Sequence, residues 1–195
     1  MKDDNNYIRA FIAISLPKEI KTFLHDLQIQ LRISGIRSSR VSWAKPEMMH
    51  LTLKFLGNVK ISRLDTIKSC MRLAVTGIPT HTLSASGVGV FPSIKKARVI
   101  WSGTRGQTDV LERLSNRLDD IIFDELGIKK NTARFSPHLT VARIKKPIFS
   151  KTIIQLLHEF QDYCSNDFLV SEIKLIQSRL TSSGAIHKII FSAPF

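Results

Sequence analysis

The sequence predicts an α+β protein in which residues 1–195 form a single domain of two pseudo-symmetric lobes. Strand-like and helix-like hydrophobic patterns alternate along the chain and follow a similar order in each half. The tetrapeptide His-Leu-Thr-hydrophobic occurs once in each half, beginning at His50 and at His138, 88 positions apart. No Gly-, Ser- or Pro-rich linker separates the halves, so we expect one compact domain with one tetrapeptide in each lobe.

The first half is predicted to contain three strands and two helices. Pro17 follows the first strand at a position that the first turn of a helix accepts, and apolar residues then recur at helical spacing until Gly35. Ser62 is a candidate N-cap for a second helix, with Asp65 three residues on, and that helix extends to Gly77. The predicted strands of this half are 7–16, 40–44 and 50–57.

The second half repeats this arrangement. Thr108 opens an amphipathic helix that closes at Gly127, and Ser150 is a candidate cap for another helix reaching residue 163. The predicted strands of this half are 81–91, 97–103, 138–144, 169–180 and 185–193.

Charge indicates a polyanionic partner. The chain has 29 Lys and Arg against 16 Asp and Glu, for a formal net charge of +13. Basic residues gather at 94–98, 128–134 and 143–146, as expected of a surface that attracts phosphate backbones. The alternative is a highly basic, solvated surface without a ligand, and the size of the excess favours nucleic acid or nucleotide.

Cysteine content and hydropathy predict a cytoplasmic protein. Only Cys70 and Cys164 occur, without metal-site spacing, so a disulfide framework is not expected. The apolar run that follows the polar first residues is too short for a signal peptide, and no stretch has the length of a membrane span.

The repeated tetrapeptide places two polar side chains on one face of a strand. Because successive side chains of a strand point to opposite faces, His50 and Thr52 share one face while the neighbouring leucines anchor the other. The same holds for His138 and Thr140. If an approximate two-fold relates the halves, two imidazoles and two hydroxyls converge on one site.

Two facing imidazoles can cleave a phosphodiester without a metal. One neutral histidine accepts a proton from water, and one protonated histidine donates to the leaving oxygen. Threonine hydroxyls can donate hydrogen bonds to the non-bridging phosphate oxygens. Glu47, three residues before His50, is the one acidic residue close to either tetrapeptide, and a single carboxylate of this kind does not make up a metal site. The alternative is that both histidines are core residues with satisfied hydrogen bonds, and their repetition in a basic protein argues against it.

The other histidines are expected to be structural or surface residues, and packing is favoured over base stacking for both tryptophans. The histidines fall within helix patterns or strands, and the tryptophans lie in strand-like segments where packing is the usual role. These residues are His25, His81, His158, His187, Trp43 and Trp101.

The chain resembles the 2H phosphoesterase superfamily, and within it the RNA 2′,3′-cyclic phosphodiesterases, also called 2′-5′ RNA ligases. The two His-x-Thr strands are the specific part of the resemblance. The supporting segments are RAFIAISLP at 9–17, VSWAKPEMMHLTLKFLGNV at 41–59, FPSIKKARVIWSG at 91–103, FSPHLTVARIK at 135–145 and SRLTSSGAIHKIIFSAPF at 178–195.

This resemblance implies a bilobal fold with two antiparallel sheets flanking a central cleft and helices on the outside. It implies metal-independent hydrolysis of an RNA-terminal 2′,3′-cyclic phosphate to a 2′-phosphate. We expect no cofactor, and we expect the protein to be a monomer. By the same resemblance His50 is the general acid for the 3′ oxygen, His138 is the general base for water, Thr52 and Thr140 bind the phosphate, and Arg143 contacts the substrate.

Two alternatives and one departure from the family pattern stay open at this point. The same site run in reverse would join a cyclic end to a 5′-hydroxyl in a 2′-5′ linkage, and a non-catalytic RNA-binding module would use the cleft for recognition alone. Where the family pattern has Tyr in GAxY, this chain has His187, a change that affects packing near the cleft or base preference.

Overall fold

The computed structural model describes residues 6–182 and 184–195 and shows a nine-stranded antiparallel sheet with four α-helices. The α+β prediction is confirmed. The strands are β1 (Tyr7–Ser15), β2 (Val41–Trp43), β3 (His50–Lys60), β4 (His81–Phe91), β5 (Val99–Gly106), β6 (His138–Ile144), β7 (Phe168–Val170), β8 (Glu172–Thr181) and β9 (Gly184–Pro194).

The helices form where apolar residues recur at a spacing of three and four. In the first helix Ile20, Leu24, Leu27 and Leu31 are buried against the sheet core. The third helix ends at Gly127, whose φ of 66° is the left-handed conformation that glycine adopts without steric cost. The helices are α1 (Lys18–Ile33), α2 (Leu64–Val75), α3 (Thr108–Leu126) and α4 (Ser150–Glu159).

The two halves of the sheet meet at one narrow seam. Strands run in the order β7-β4-β5-β6-β3-β1-β8-β9, with β2 also paired to β6. At the centre β3 and β6 share a single register pair, Leu51 with Leu139. The two sheets expected on either side of a cleft are therefore joined into one at the point where the two tetrapeptides lie.

Three local predictions differ from the structure. The predicted strand 169–180 is two strands, because β7 pairs with β4 at one edge of the sheet while β8 pairs with β1 in the other half. Ser62 does not cap α2, since it lies in a 3-10 turn and the helix begins at Leu64 without a side-chain cap. Ser150 does not cap α4 either, since it is the first residue of that helix, which ends at Glu159 and not at residue 163. In the described ranges, every helix is too short or too polar to cross a membrane.

Candidate active site

The two tetrapeptides lie side by side at the seam. Because Leu51 pairs with Leu139 in antiparallel register, each histidine is set across from the threonine of the other tetrapeptide. Both leucines are fully buried in the core, which turns the polar side chains to the opposite side of the sheet. We call that side the motif face, and it carries His50, Thr52, His138 and Thr140.

Each tetrapeptide strand contains a β-bulge at the same place. A register shift between β1 and β3 makes Leu53 an extra residue, and one between β5 and β6 does the same to Val141. Both residues come three positions after the motif histidine. Burial along the first seven residues of the two strands is consequently identical, position by position.

A buried polar side chain from a helix contacts the carbonyl of each bulge. Ser115 of α3 donates its hydroxyl hydrogen to Leu53 O at 3.4 Å. Gln28 of α1 donates from Nε2 to Val141 O at 2.9 Å and to Ala44 O at 2.8 Å. A buried carbonyl without a donor is costly, so these side chains stabilise the irregular backbone.

The bulges decide which side chains share the motif face. Strict alternation would place Lys54 beside His50, yet Lys54 is 1% exposed and Phe55 is 63% exposed. Arg143 is likewise exposed between buried neighbours, although alternation alone would bury it. Because of the bulge, Arg143 lies on the same side of the sheet as His138, as a contact with the substrate would require. Phe55 occupies the equivalent position on β3.

Both motif histidines are held in one tautomer. Nδ1 of His50 lies 2.7 Å from Met48 O, and Nδ1 of His138 lies 2.8 Å from Ser136 O. A carbonyl only accepts, so Nδ1 carries the proton in each ring and Nε2 remains for proton exchange. Nδ1 of His81 likewise lies 3.0 Å from a backbone carbonyl oxygen, but His81 is 1% exposed. The contact therefore orients a ring and does not by itself make the ring reactive.

His50 is packed between two aromatic rings. Phe11 stacks on it with ring centroids 4.6 Å apart, and His187 meets it edge-on at 5.2 Å. Phe11 also touches His187 at 5.0 Å, so the three rings form a closed cluster. His187, expected to be a structural or surface residue, thus packs its ring against the candidate acid.

Burial lowers the pKa of His50 from 6.5 to about 4. The hydrogen bond to the Met48 carbonyl acts in the opposite direction, while the positive charges of His187, Arg143 and His138 lower the pKa further. Arg143 and His138 therefore lie close enough to His50 for their charges to lower its pKa. Burial also lowers the pKa of His187.

Different rings flank His138. Phe91 meets its edge at a centroid distance of 4.9 Å, and Trp101 lies 6.4 Å away. The Trp101 ring fills the space where a side chain at Gly89 would stand, since a Cβ there would come within 2.0 Å of it. The two histidines therefore have the same backbone contact and different aromatic neighbours.

The hydroxyls of Thr52 and Thr140 make no hydrogen bond within the part of the chain that the structure describes. Both side chains are half-buried on the motif face. A phosphate at the seam would find two hydroxyl donors and two imidazole Nε2 atoms. Among the described residues, no group of three or more His, Cys, Asp or Glu is placed to hold a metal ion.

Sequence reasoning identified the polar residues of this face and missed its aromatic ones. Phe11, Phe55 and Phe91 lie in predicted strands, and nothing in the strand patterns marks them as site residues. His187 had one signal, its position in the GAxY segment of the resembled family.

Sequence comparison relates the chain to phosphoesterases. A family model described as LigT like Phosphoesterase matches residues 14–101, which include the first tetrapeptide. The RNA 2′,3′-cyclic phosphodiesterase of Aquifex aeolicus is 30% identical over 94% of this chain and 95% of its own length. The protein of the same name from Methanothermobacter thermautotrophicus is 31% identical over 92% and 95%.

Solved structures share the fold. TT0787 of Thermus thermophilus superposes with a TM-score of 0.78 at 22% identity and covers 96% of this chain and 97% of its own. E. coli LigT complexed with 3′-AMP gives a TM-score of 0.76 at 21% identity over 97% and 98%. At these identities the likeness bears on the fold alone.

Proposed function

Because the chain belongs to the LigT-like phosphoesterase family, we propose that it hydrolyses the 2′,3′-cyclic phosphate at the end of an RNA to a 2′-phosphate. The relatives that match nearly its whole length carry the name RNA 2′,3′-cyclic phosphodiesterase. The observation that carries the proposal is the pair of histidines with fixed tautomers on adjacent strands. Each lies across from a threonine hydroxyl that has no partner among the described residues.

The proposed reaction is a single displacement at phosphorus. Thr52 and Thr140 donate hydrogen bonds to the non-bridging oxygens of the cyclic phosphate. Neutral His138 accepts a proton at Nε2 from a water molecule as the water oxygen bonds to phosphorus. Protonated His50 donates a proton from Nε2 to the 3′ oxygen as the bond between phosphorus and that oxygen breaks. The product keeps the phosphate on the 2′ oxygen.

Arg143 and the overall charge support an RNA substrate. The guanidinium lies on the motif face and can pair with a phosphate oxygen. A net charge of +13 attracts the rest of the RNA backbone, so KM for an oligonucleotide should rise with salt. The enzyme is proposed to act as a monomer in the cytoplasm on RNA ends.

We expect one limb of the pH profile to follow His50. With a pKa of about 4, roughly one His50 in a thousand is protonated at pH 7 in the free protein. Binding of an anionic phosphate favours the charged imidazole and raises this pKa. The kcat/KM profile reports the free enzyme, so one of its limbs should lie near pH 4. The kcat profile reports the enzyme–substrate complex, so the same limb should lie at higher pH there.

NMR titration of the histidine rings provides the direct control. The resonance that disappears in His50→Ala should titrate near pH 4 in the free protein and at higher pH with 2′-nucleotide bound. A single sigmoid in the rate, or the same limb near pH 6.5 in both profiles, would contradict the assignment.

The defining experiment uses a short RNA that ends in a 2′,3′-cyclic phosphate, incubated with the protein in excess EDTA. Full activity and a 2′-phosphate product are expected, because the proposed step uses only protein groups. Product identity is read by NMR and by periodate resistance. Loss of activity that Zn²⁺ or Mn²⁺ restores would indicate a metal enzyme.

Two other outcomes would point to other functions. A 2′-5′-linked product with an added 5′-hydroxyl RNA would show that the same groups work in the reverse direction. Salt-dependent RNA binding without any product would indicate a binding module.

A further inference from the structure

A cavity of about 480 Å³ opens beside the candidate general base. It lies between the end of β5, the start of α3 and the segment that leads into β6. Its lining residues combine aromatic, hydroxyl and charged side chains: Trp101, Thr104, Thr108, Glu112, Arg134 and Phe135. We propose that this cavity binds the base of the nucleotide that carries the cyclic phosphate, and that this base is guanine.

The cavity shares two residues with the surroundings of His138. Ser136 lines it and also provides the carbonyl that accepts the Nδ1 proton of His138 at 2.8 Å. Trp101 lines it and lies 6.4 Å from the His138 ring. In a nucleotide only the ribose separates the base from the phosphate. One nucleotide can therefore place its phosphate at the seam and its base in this cavity.

The cavity has aromatic walls. Trp101 and Phe135 line it, and the flat face of a base suits walls of this kind. Trp101 Nε1 and Thr104 Oγ1 make no hydrogen bond with the described residues, but both atoms are fully buried and so lie behind the wall and not on its open surface. The base is therefore held by stacking on this side, and other lining residues contact its polar edges.

Glu112 and Arg134 provide the base selectivity. They meet through Arg134 Nε and Glu112 Oε1 at 3.2 Å. The second carboxylate oxygen and both terminal guanidinium nitrogens make no further hydrogen bond within residues 6–182 and 184–195. Both side chains are therefore able to bind a ligand as well as each other.

Guanine alone among the four RNA bases matches this pair. Its Watson–Crick edge has two adjacent donors, N1–H and the N2 amino group, which suit a carboxylate such as that of Glu112. Its O6 and N7 acceptors suit the guanidinium of Arg134. Adenine, cytosine and uracil each lack the adjacent donors, so a carboxylate at this position can accept at most one hydrogen bond from their Watson–Crick edges.

The inference rests on the proposed function and is tested with the four nucleoside 2′,3′-cyclic phosphates. Guanosine 2′,3′-cyclic phosphate should have the highest kcat/KM, by on the order of tenfold. Glu112→Gln, which keeps the shape and removes the charge, should remove most of this preference while leaving the other three substrates within about twofold. Asp109→Asn is the matched control, since Asp109 is an exposed carboxylate one turn earlier in α3 and does not line the cavity.

The possible results distinguish failure of the guanine site from failure of the proposed function. Equal kcat/KM for all four substrates, or an equal loss for all four in Glu112→Gln, would overturn the guanine site and leave the phosphodiesterase intact. If none of the four is hydrolysed, the proposed function fails. Binding of guanosine and adenosine 2′-phosphates, followed by Trp101 fluorescence in a Trp43→Phe chain, then tests the site alone, and equal affinities would overturn it.

Discussion

Alanine in place of His138 is expected to lower kcat/KM for a 2′,3′-cyclic phosphate by at least about two orders of magnitude. The imidazole is the only neutral base that the proposed step uses, and its Nδ1–H bond to Ser136 O fixes the ring with Nε2 available. His50→Ala should have a loss of similar size, because the 3′ oxygen would then leave without a proton donor. Steady-state rates with a dinucleotide cyclic phosphate provide the measurement.

His158→Ala is the control for these two variants. His158 is exposed in the last turn of α4, away from the motif face, so its loss should leave the rate unchanged. Circular dichroism should show that all three variants remain folded, since His50 and His138 are not core residues. Near wild-type turnover in either motif variant would remove that histidine from the reaction.

Methionine in place of Lys54 is expected to lower the free energy of unfolding by about 3 kcal/mol. Lys54 is 1% exposed, and its Nζ lies 2.6 Å from Asp119 Oδ1 and 2.7 Å from Lys129 O. Methionine has a similar length but leaves the Asp119 carboxylate without its cation and the Lys129 carbonyl without its donor. Asp119 also accepts the Asn131 backbone N–H at 2.8 Å, so the segment before β6 should loosen as well.

Lys68→Met is the matched control for this prediction. Lys68 forms an ion pair with Asp65 at 2.8 Å, in which the Asp65 side chain is 93% exposed. Exposed pairs of this kind contribute about 0.2–1 kcal/mol, so its loss should be much smaller. Urea unfolding at pH 7 compares the two variants, and a Lys54→Met loss no larger than that of Lys68→Met would show that the buried pair is not stabilising.

The sequence predicts the order of most elements and the face that carries the polar residues of the two tetrapeptides. Alternation over four residues correctly separates His50 and Thr52 from Leu51 and Leu53, because one face of the strand is fully buried. The strand 138–144 is predicted with its observed bounds. Helix ends at glycine are also recognisable, as at Gly127.

The bulges explain where sequence reasoning stops. Extending the alternation past Leu53 would bury Phe55 and expose Lys54, and the structure has the reverse. A bulge needs one extra residue and a donor for its carbonyl, and the donors here are Ser115 and Gln28, which are distant in sequence. Neither residue has a local pattern that predicts this contact.

The cavity beside β6 also depends on contacts between segments that are distant in sequence. It is formed by β5, α3 and the segment before His138, which meet only in the folded chain. The Arg134 and Glu112 side chains are 22 positions apart and have no motif that connects them. Pairwise placement of this kind depends on tertiary packing.

Phe55 and Arg143 occupy equivalent positions on the two strands, and their difference bears on which histidine acts as the acid. A cyclic phosphate rotated by half a turn about the seam would meet the same hydroxyls and imidazoles, with the acid and the base exchanged. It would release the same 2′-phosphate, because the 3′ oxygen is still the group that leaves. Arg143 attracts anionic oxygen where Phe55, on the other strand, does not. The assignment of acid and base therefore depends on two side chains that transfer no proton, and exchanging them would favour His138 as the acid and His50 as the base.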